Sequence, residues 1–196
     1  MQKKEKNSVI LVHGFMDNEQ KMQAMERYLR DRGWNAFSVT LSPSYGKIGI
    51  DKLASQLDTI IRQRIADDVV FDLVGFSMGG LICRYYIQRL GGFNRVEHLI
   101  TISTPHHGTL TGYLLNNEGA KQMRFESRFV KELNADVDKL HKLKFLSIWS
   151  PFDLMILPAS SSHIHNVSER KIAVFLHPLM VWNKKCFHAI ESELLQ

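Results

Sequence analysis

Disulfide-forming residues are almost absent. Only Cys83 and Cys186 occur in 196 residues, too few for the stapled framework of a small secreted domain. Both stand in apolar helical contexts, so they read as reduced core thiols in a cytosolic setting. Long apolar runs are missing too, since no stretch approaches the roughly 20 residues that span a bilayer. The opening MQKKEKNSVILVHG carries charge and only a four-residue apolar run before His13, well short of a secretory leader. The expected location is cytoplasmic, with any membrane contact peripheral on the inner face. Nor does one charge dominate: 25 Lys and Arg against 20 Asp and Glu leave +5. That excess favours an anionic surface such as membrane lipid and is too small and dispersed to argue for nucleic acid. No repeat, low-complexity tract or linker interrupts the chain, and no obligate protein partner is evident. One domain over residues 1–196 is the simplest reading, long enough to bury roughly 70% of its unfolded surface.

Short apolar runs alternate with longer helical segments. The runs are VILVHGF (9–15), NAFSVTL (35–41), FDLVGF (71–76), VEHLITIST (96–104), KFLSIWS (144–150) and KIAVFLH (171–177). Each is continuously apolar rather than alternating, as befits strands covered on both faces. Helical periodicity falls near 17–32, 51–66, 78–90 and 183–195, the third ending at Gly91-Gly92. The alternation implies an α/β fold: a mostly parallel sheet of about six strands with right-handed crossovers and helices on both faces. Residues 105–143 hold no strand run and are expected to form a short helical cap or a lengthened crossover.

The stretch DLVGFSMGGL (72–81) places Ser77 between Gly75 and Gly79 after a strand and before a helix. Those glycines remove side chains that would collide at a sharp reversal, Gly80 lets the helix pack close to the sheet, and the helix dipole favours an anion beside the hydroxyl. Ser77 is therefore the candidate nucleophile. HGFMDN (13–18) ends the first strand, so the N–H groups of Phe15 and Met78 can form a two-donor oxyanion hole, while His13 reads as a structural, hydrogen-bonded histidine. A serine needs a base, and the base an acid, in the chain order serine, acid, histidine. Asp153 is the only acid at the carboxyl end of a predicted strand after Ser77, and His177 closes the last run; strand carboxyl ends are where such sheets build sites. Asp136 and Asp138 read as solvated, and His188 lies inside the last helix. His163 and His165 are spaced like metal ligands but have no third ligand in a matching context, so neither metal nor cofactor is expected.

Together VILVHGF, VGFSMGGLICRYYIQ, ITISTPHHGT and SIWSPFDLMILP resemble the α/β-hydrolase superfamily, in particular its bacterial lipase and esterase branch. Closest in build are the minimal lipases of about this length, and QMRFESRFVKEL (122–133) is similar to a stretch of cyanobacterial and chloroplast lipase-like proteins. The resemblance covers nearly the whole chain in order. It implies Ser77 as nucleophile, Asp153 as acid, His177 as base, and Phe15 and Met78 as oxyanion donors. The chain departs from many relatives in having Phe76 before the serine and Leu176 before His177.

The implied reaction is hydrolysis of an acyl ester through an acyl-enzyme on Ser77; an acyltransferase, a thioesterase or a non-catalytic binding module are the alternatives. Met16, Leu110, Leu114 and Leu154, with Phe15, Tyr113 and Leu115, are expected to line an apolar pocket for a lipid-like acyl chain, each buried methylene contributing roughly 0.8 kcal/mol. Lys121, Arg124, Arg128 and Lys131 recur at helical spacing and would form a basic stripe able to dock on anionic membrane, unless Ser127 caps a fresh helix and breaks it.

Overall fold

A computed structural model describes residues 6–196; residues 1–5 of the charged opening stretch lie outside it. Six parallel strands form one sheet, β1 (Ser8–Val12), β2 (Ala36–Val39), β3 (Phe71–Phe76), β4 (Val96–Ile102), β5 (Lys144–Trp149) and β6 (Ser168–Lys171), in the order β2-β1-β3-β4-β5-β6 with every pairing parallel. The step from β1 back over β2 and then on through β3 puts the chain reversal beside β1 and β3, whose carboxyl ends carry Gly14 and Ser77.

Strand periodicity divides the core. Ile10 and Val12 of β1 and Phe71 and Leu73 of β3 face one layer, built with α2 (Ile50–Arg64) and α3 (Met78–Arg89). Val9 and Leu11, with Val74 and Phe76, face the other, built with α1 (Gln23–Arg30) and α6 (Lys184–Leu194). Burial on both faces is why these strands read as unbroken apolar runs. Cys83 and Cys186 sit one in each layer, fully buried; loss of water pushes the Cys186 thiol up to about 12 and Cys83 upward as well. Among the described residues no helix is long and apolar enough to cross a membrane.

Two expectations need correction. The last strand is not 171–177 but Ser168–Lys171, and His177 opens a short 3-10 turn, His177–Trp182, with Pro178 next to it. This strand is the sheet edge, where charged side chains are tolerated and guard unpaired backbone groups; Ile172 and Val174 behind it are buried as the chain leaves the sheet. The basic stripe does not form either. Residues 105–143 fold as a helical insertion in which α4 (Glu118–Gln122) and α5 (Arg128–Asn134) are separate helices, with the Ser127 hydroxyl capping α5 by accepting from Val130 N. Lys121 pairs with Glu118, Lys131 with Glu126 and Arg128 with Glu132, and Arg124 donates to the carbonyls of Gly112 and Leu115. The charges are spent locally.

The insertion is tied down rather than loose. Gly119 N donates to Gly46 O, Thr109 N to Met123 O and Leu110 N to Leu157 O. Beneath it, fully buried Arg84 donates to Leu133 O and Asn134 Oδ1.

Candidate active site

Ser77 follows β3 and caps α3 with φ +54° and ψ −122°, a conformation that costs on the order of 1–3 kcal/mol for a residue with a side chain. The surroundings impose it. A Cβ on Gly79 would lie 2.4 Å from Val12 O and 2.5 Å from His13 O, and one on Gly80 would lie 2.0 Å from Thr104 Oγ1. The helix can approach the sheet this closely only with hydrogens at those two positions. Gly14, whose Cβ would stand 3.1 Å from Ser77 Cβ, brings the β1 loop against the serine. Ser77 N donates to Ile102 O at 2.8 Å, fixing the turn. The next N–H, that of Met78, is the first of α3 and has no acceptor within its own helix.

The loop after β1 is held by His13. Its Nδ1–H donates to Gly14 O at 2.9 Å, and Nε2 accepts from Leu41 N at 3.0 Å. The ring is fully buried, and desolvation lowers its pKa despite those bonds and the charges of Asp17 and Glu19. It is thus a neutral brace, as its sequence position suggested.

Asp153 lies four residues past the end of β5, in a turn made by its own side chain: Oδ1 accepts from Met155 N at 2.9 Å and Ile156 N at 3.0 Å. The other oxygen, Oδ2, accepts from His177 Nδ1 at 2.7 Å. Burial alone would raise this carboxyl, but the bond and charge of His177 together with the two amides outweigh it and hold it below the usual aspartate range. The His177 ring packs 4.8 Å from Phe76 and is mostly buried, as are Ser77 and Asp153. No hydrogen bond joins Ser77 Oγ to His177 in this structure, although both line one cavity; such links often tighten only with substrate bound.

That cavity has a volume of about 540 Å³, within the range of ligand sites. Phe15, Met16, Leu114 and Leu115 line it; Leu110 and Leu154 do not, nor does Tyr113. Those three side chains point outward and are exposed. Sequence reasoning missed Ala120, Met123, Met155, Ile156, Thr109 and Thr111, which do line it. The two threonines had a signal in STPHHGTLT: their hydroxyls both donate to Met155 O, at 3.1 and 2.7 Å, tying the insertion to the turn that carries Asp153. His106 follows Pro105 past the end of β4, a place that suits a polar loop residue. It is instead fully buried away from the cavity, accepting from Arg84 at 3.3 Å and donating to Thr101 Oγ1 at 3.1 Å. Desolvation first, then the adjacent guanidinium, pushes its pKa well below the ordinary value.

Among the described residues one trio, Asp72, Glu97 and His98, brings three metal-capable atoms close together. It sits at the amino end of the sheet, remote from Ser77, and its oxygens are already engaged. Asp72 Oδ1 accepts from His98 Nδ1 at 2.7 Å and from Asn7 Nδ2, while Glu97 accepts from Asn7 and from the Lys144 ammonium at 2.8 Å. Lys144 supplies the positive charge there.

A family model described as palmitoyl protein thioesterase matches residues 8–132, well over half of the chain. The chain belongs to the palmitoyl protein thioesterase family. The match takes in Gly14, Phe15, Ser77 and Met78 and stops before Asp153 and His177. Solved structures of lipases share the same α/β-hydrolase fold at low identity. The mature lipase BlEst2 of Bacillus licheniformis superposes with a TM-score of 0.80 at 16% identity, covering 99% of this chain and 94% of that one. Lipase B of Aspergillus fumigatus gives 0.78 at 16%, covering 93% of this chain. This chain spans about half, 51%, of that lipase. A monoacylglycerol lipase of Paleococcus ferrophilus gives 0.68 at 15%, covering 96% and 93%.

Proposed function

We propose that this member of the palmitoyl protein thioesterase family hydrolyses hydrophobic acyl esters through an acyl-enzyme on Ser77. The observation that carries the reading is the 2.7 Å Asp153–His177 hydrogen bond set in the same apolar cavity as Ser77. With Nδ1–H given to Asp153, His177 serves as base through the lone pair of Nε2. A ring movement within the cavity brings that nitrogen to Ser77 Oγ, where it takes the hydroxyl proton as the oxygen adds to the acyl carbonyl. The oxyanion so formed meets the N–H groups of Phe15 and Met78, each donor contributing on the order of 3 kcal/mol. As the tetrahedral species collapses, the bond to the leaving oxygen breaks and His177 returns the proton to it. Water then repeats the cycle and frees the acid and Ser77. Asp153 orients and stabilises the ring throughout without taking the proton.

A second reading, favoured by the family match, has a thioester as substrate, with a thiol leaving in place of an alcohol. The same residues serve both. Oxygen and sulfur esters of one acyl chain, compared by kcat/KM, separate the two readings; added alcohol acceptors would expose acyl transfer. The test of the whole scheme is covalent labelling by a fluorophosphonate, expected for the wild type and lost in Ser77→Ala. A folded wild type that takes no label would overturn the scheme and leave a binding module.

Lipid-like substrates suit the apolar surround of the cavity mouth. Met16 and Leu114 are 70% and 80% exposed there, and Phe152 stacks on Phe175 beside the Asp153 turn. Any peripheral membrane contact rests on this apolar rim and not on the insertion's basic residues. It therefore depends little on salt, which vesicle sedimentation at low and high ionic strength checks.

A further inference from the structure

Four of the nine histidines gather on the far side of the insertion, around the segment that connects the Asp153 turn to β6, and the proposed chemistry uses none of them. His163 Nε2 and His165 Nδ1 face one another at 3.4 Å, their rings nearly perpendicular at 85°. Two nitrogens bound to one tetrahedral cation at 2.0–2.1 Å stand about 3.3 Å apart, so the observed separation matches a shared cation. The pair is also held from outside. Nδ1 of His163 donates to the Glu169 carboxylate, leaving its Nε2 with a free lone pair; a carboxylate behind an imidazole in this way fixes the tautomer and the ring's orientation. The backbone of the pair is pinned as well, since His107 Nε2 donates to His163 O at 3.1 Å and His141 Nε2 donates to His165 O at 3.0 Å. Ile164 between them is buried and anchors the segment.

We propose that His163 and His165 form a binding site for a late first-row divalent cation, zinc being the ion whose tetrahedral spacing they match, with Glu169 as its outer support and water completing the coordination. Imidazole pairs favour these ions over calcium or magnesium. Without metal, the His165 Nδ1–H donates to His163 Nε2. On binding, that proton moves to the solvent-facing Nε2 of His165, so the neutral ring presents Nδ1 to the ion and no net proton need be released. A bound ion would cross-link the two residues at the start of the edge-strand connection. The site lies apart from the Asp72–Glu97–His98 cluster, whose charge Lys144 already balances, and it does not depend on the proposed esterase chemistry.

The test uses the full chain, stripped with chelator and titrated with CuCl₂ and with ZnCl₂ by calorimetry, with copper also followed by electron paramagnetic resonance. One saturable equivalent with hyperfine coupling from two imidazole nitrogens is expected. His165→Gln, an exposed position that leaves the fold intact, and His163→Ala should each abolish it. Glu169→Gln should weaken it by roughly 10–100-fold, and His98→Ala and Ser77→Ala should leave it unchanged. Titrations without a saturable phase overturn the site, as does binding that survives both His163→Ala and His165→Gln or that disappears with His98→Ala.

Discussion

Replacing Asp153 by asparagine isolates the electrostatic role of the acid, because the side chain keeps its shape. Its two oxygens have different duties: Oδ1 accepts from the amides of Met155 and Ile156, and Oδ2 accepts from His177 Nδ1. Only an oxygen can serve the two amides, so the asparagine carbonyl must take that place and its NH₂ must face His177. The ring can answer only by turning Nδ1 into an acceptor and moving its proton to Nε2. The nitrogen that should receive the serine proton is then already occupied. A wrong tautomer of this kind costs roughly ten-thousand-fold in kcat in a serine triad, about 5.5 kcal/mol at 1.36 kcal/mol per tenfold. The assay is turnover of a p-nitrophenyl ester of medium chain length alongside the rate of fluorophosphonate labelling, with thermal unfolding as a control for the fold. Both rates should collapse while Tm moves little, since both turn amides keep their acceptor. A loss in kcat of less than about tenfold in a folded protein would refute the assignment of Asp153 as the group that orients His177.

Gly79→Ala should cost about 1–3 kcal/mol, because its new Cβ meets two backbone carbonyls at 2.4 and 2.5 Å; calorimetric unfolding with an unchanged Tm would contradict it. Ala120 is almost fully buried and lines the cavity, so Ala120→Phe should cut kcat/KM for long acyl chains relative to short ones by roughly tenfold or more, read from a p-nitrophenyl ester series. Asp136 binds Arg89, Gln88 and Lys139; these partners outweigh the desolvation that would raise its carboxyl and bring it down to about 2. A carboxyl depressed on folding stabilises fully above its unfolded pKa, near 3.9, and loses that contribution as pH falls towards 2, so Asp136→Asn should cost on the order of 1 kcal/mol after solvent screening at pH 7 and almost nothing at pH 2, by denaturant titration. Ser150→Ala should lower kcat more than it raises KM and cost about 1–3 kcal/mol, because one buried hydroxyl bonds both Val174 and Phe152; a kcat equal to wild type would sink that role.

The parts legible in the sequence were those determined locally. A strand buried on both faces must be apolar throughout, so β1, β3, β4 and β5 could be read directly, and the glycines around Ser77 announce a turn that other residues cannot make. Ser127 was recognisable as a cap because capping needs only the three residues that follow it. What escaped depends on distant chain. β6 is Ser-Glu-Arg-Lys, which has no strand signature until one knows that it lies at the edge of a sheet. The pocket walls divided the same way: all four side chains are largely exposed, yet Met16 and Leu114 border the cavity while Leu110 and Leu154 do not, a difference that local sequence does not carry. His106 stands in a loop after Pro105, yet it is buried against Arg84, whose partners come from residues 133 and 134.

The edge position of β6 also explains how His177 reaches Asp153. A long apolar last strand would have carried His177 in the sheet plane. Four polar residues end the pairing early, and Ile172 and Val174 then anchor the chain on the core while it turns back towards Asp153. The turn is fixed by Ser150, whose Oγ donates to Val174 O at 2.6 Å and accepts from Val174 N at 3.1 Å and Phe152 N at 3.2 Å. A second tie is the stack of Phe152 on Phe175 at 4.9 Å. One hydroxyl and one aromatic pair thus couple the Asp153 loop to the His177 loop, alongside the bond between carboxylate and imidazole. Because these ties lie three residues or fewer from Asp153 and His177, they hold the carboxylate and the imidazole in their mutual geometry.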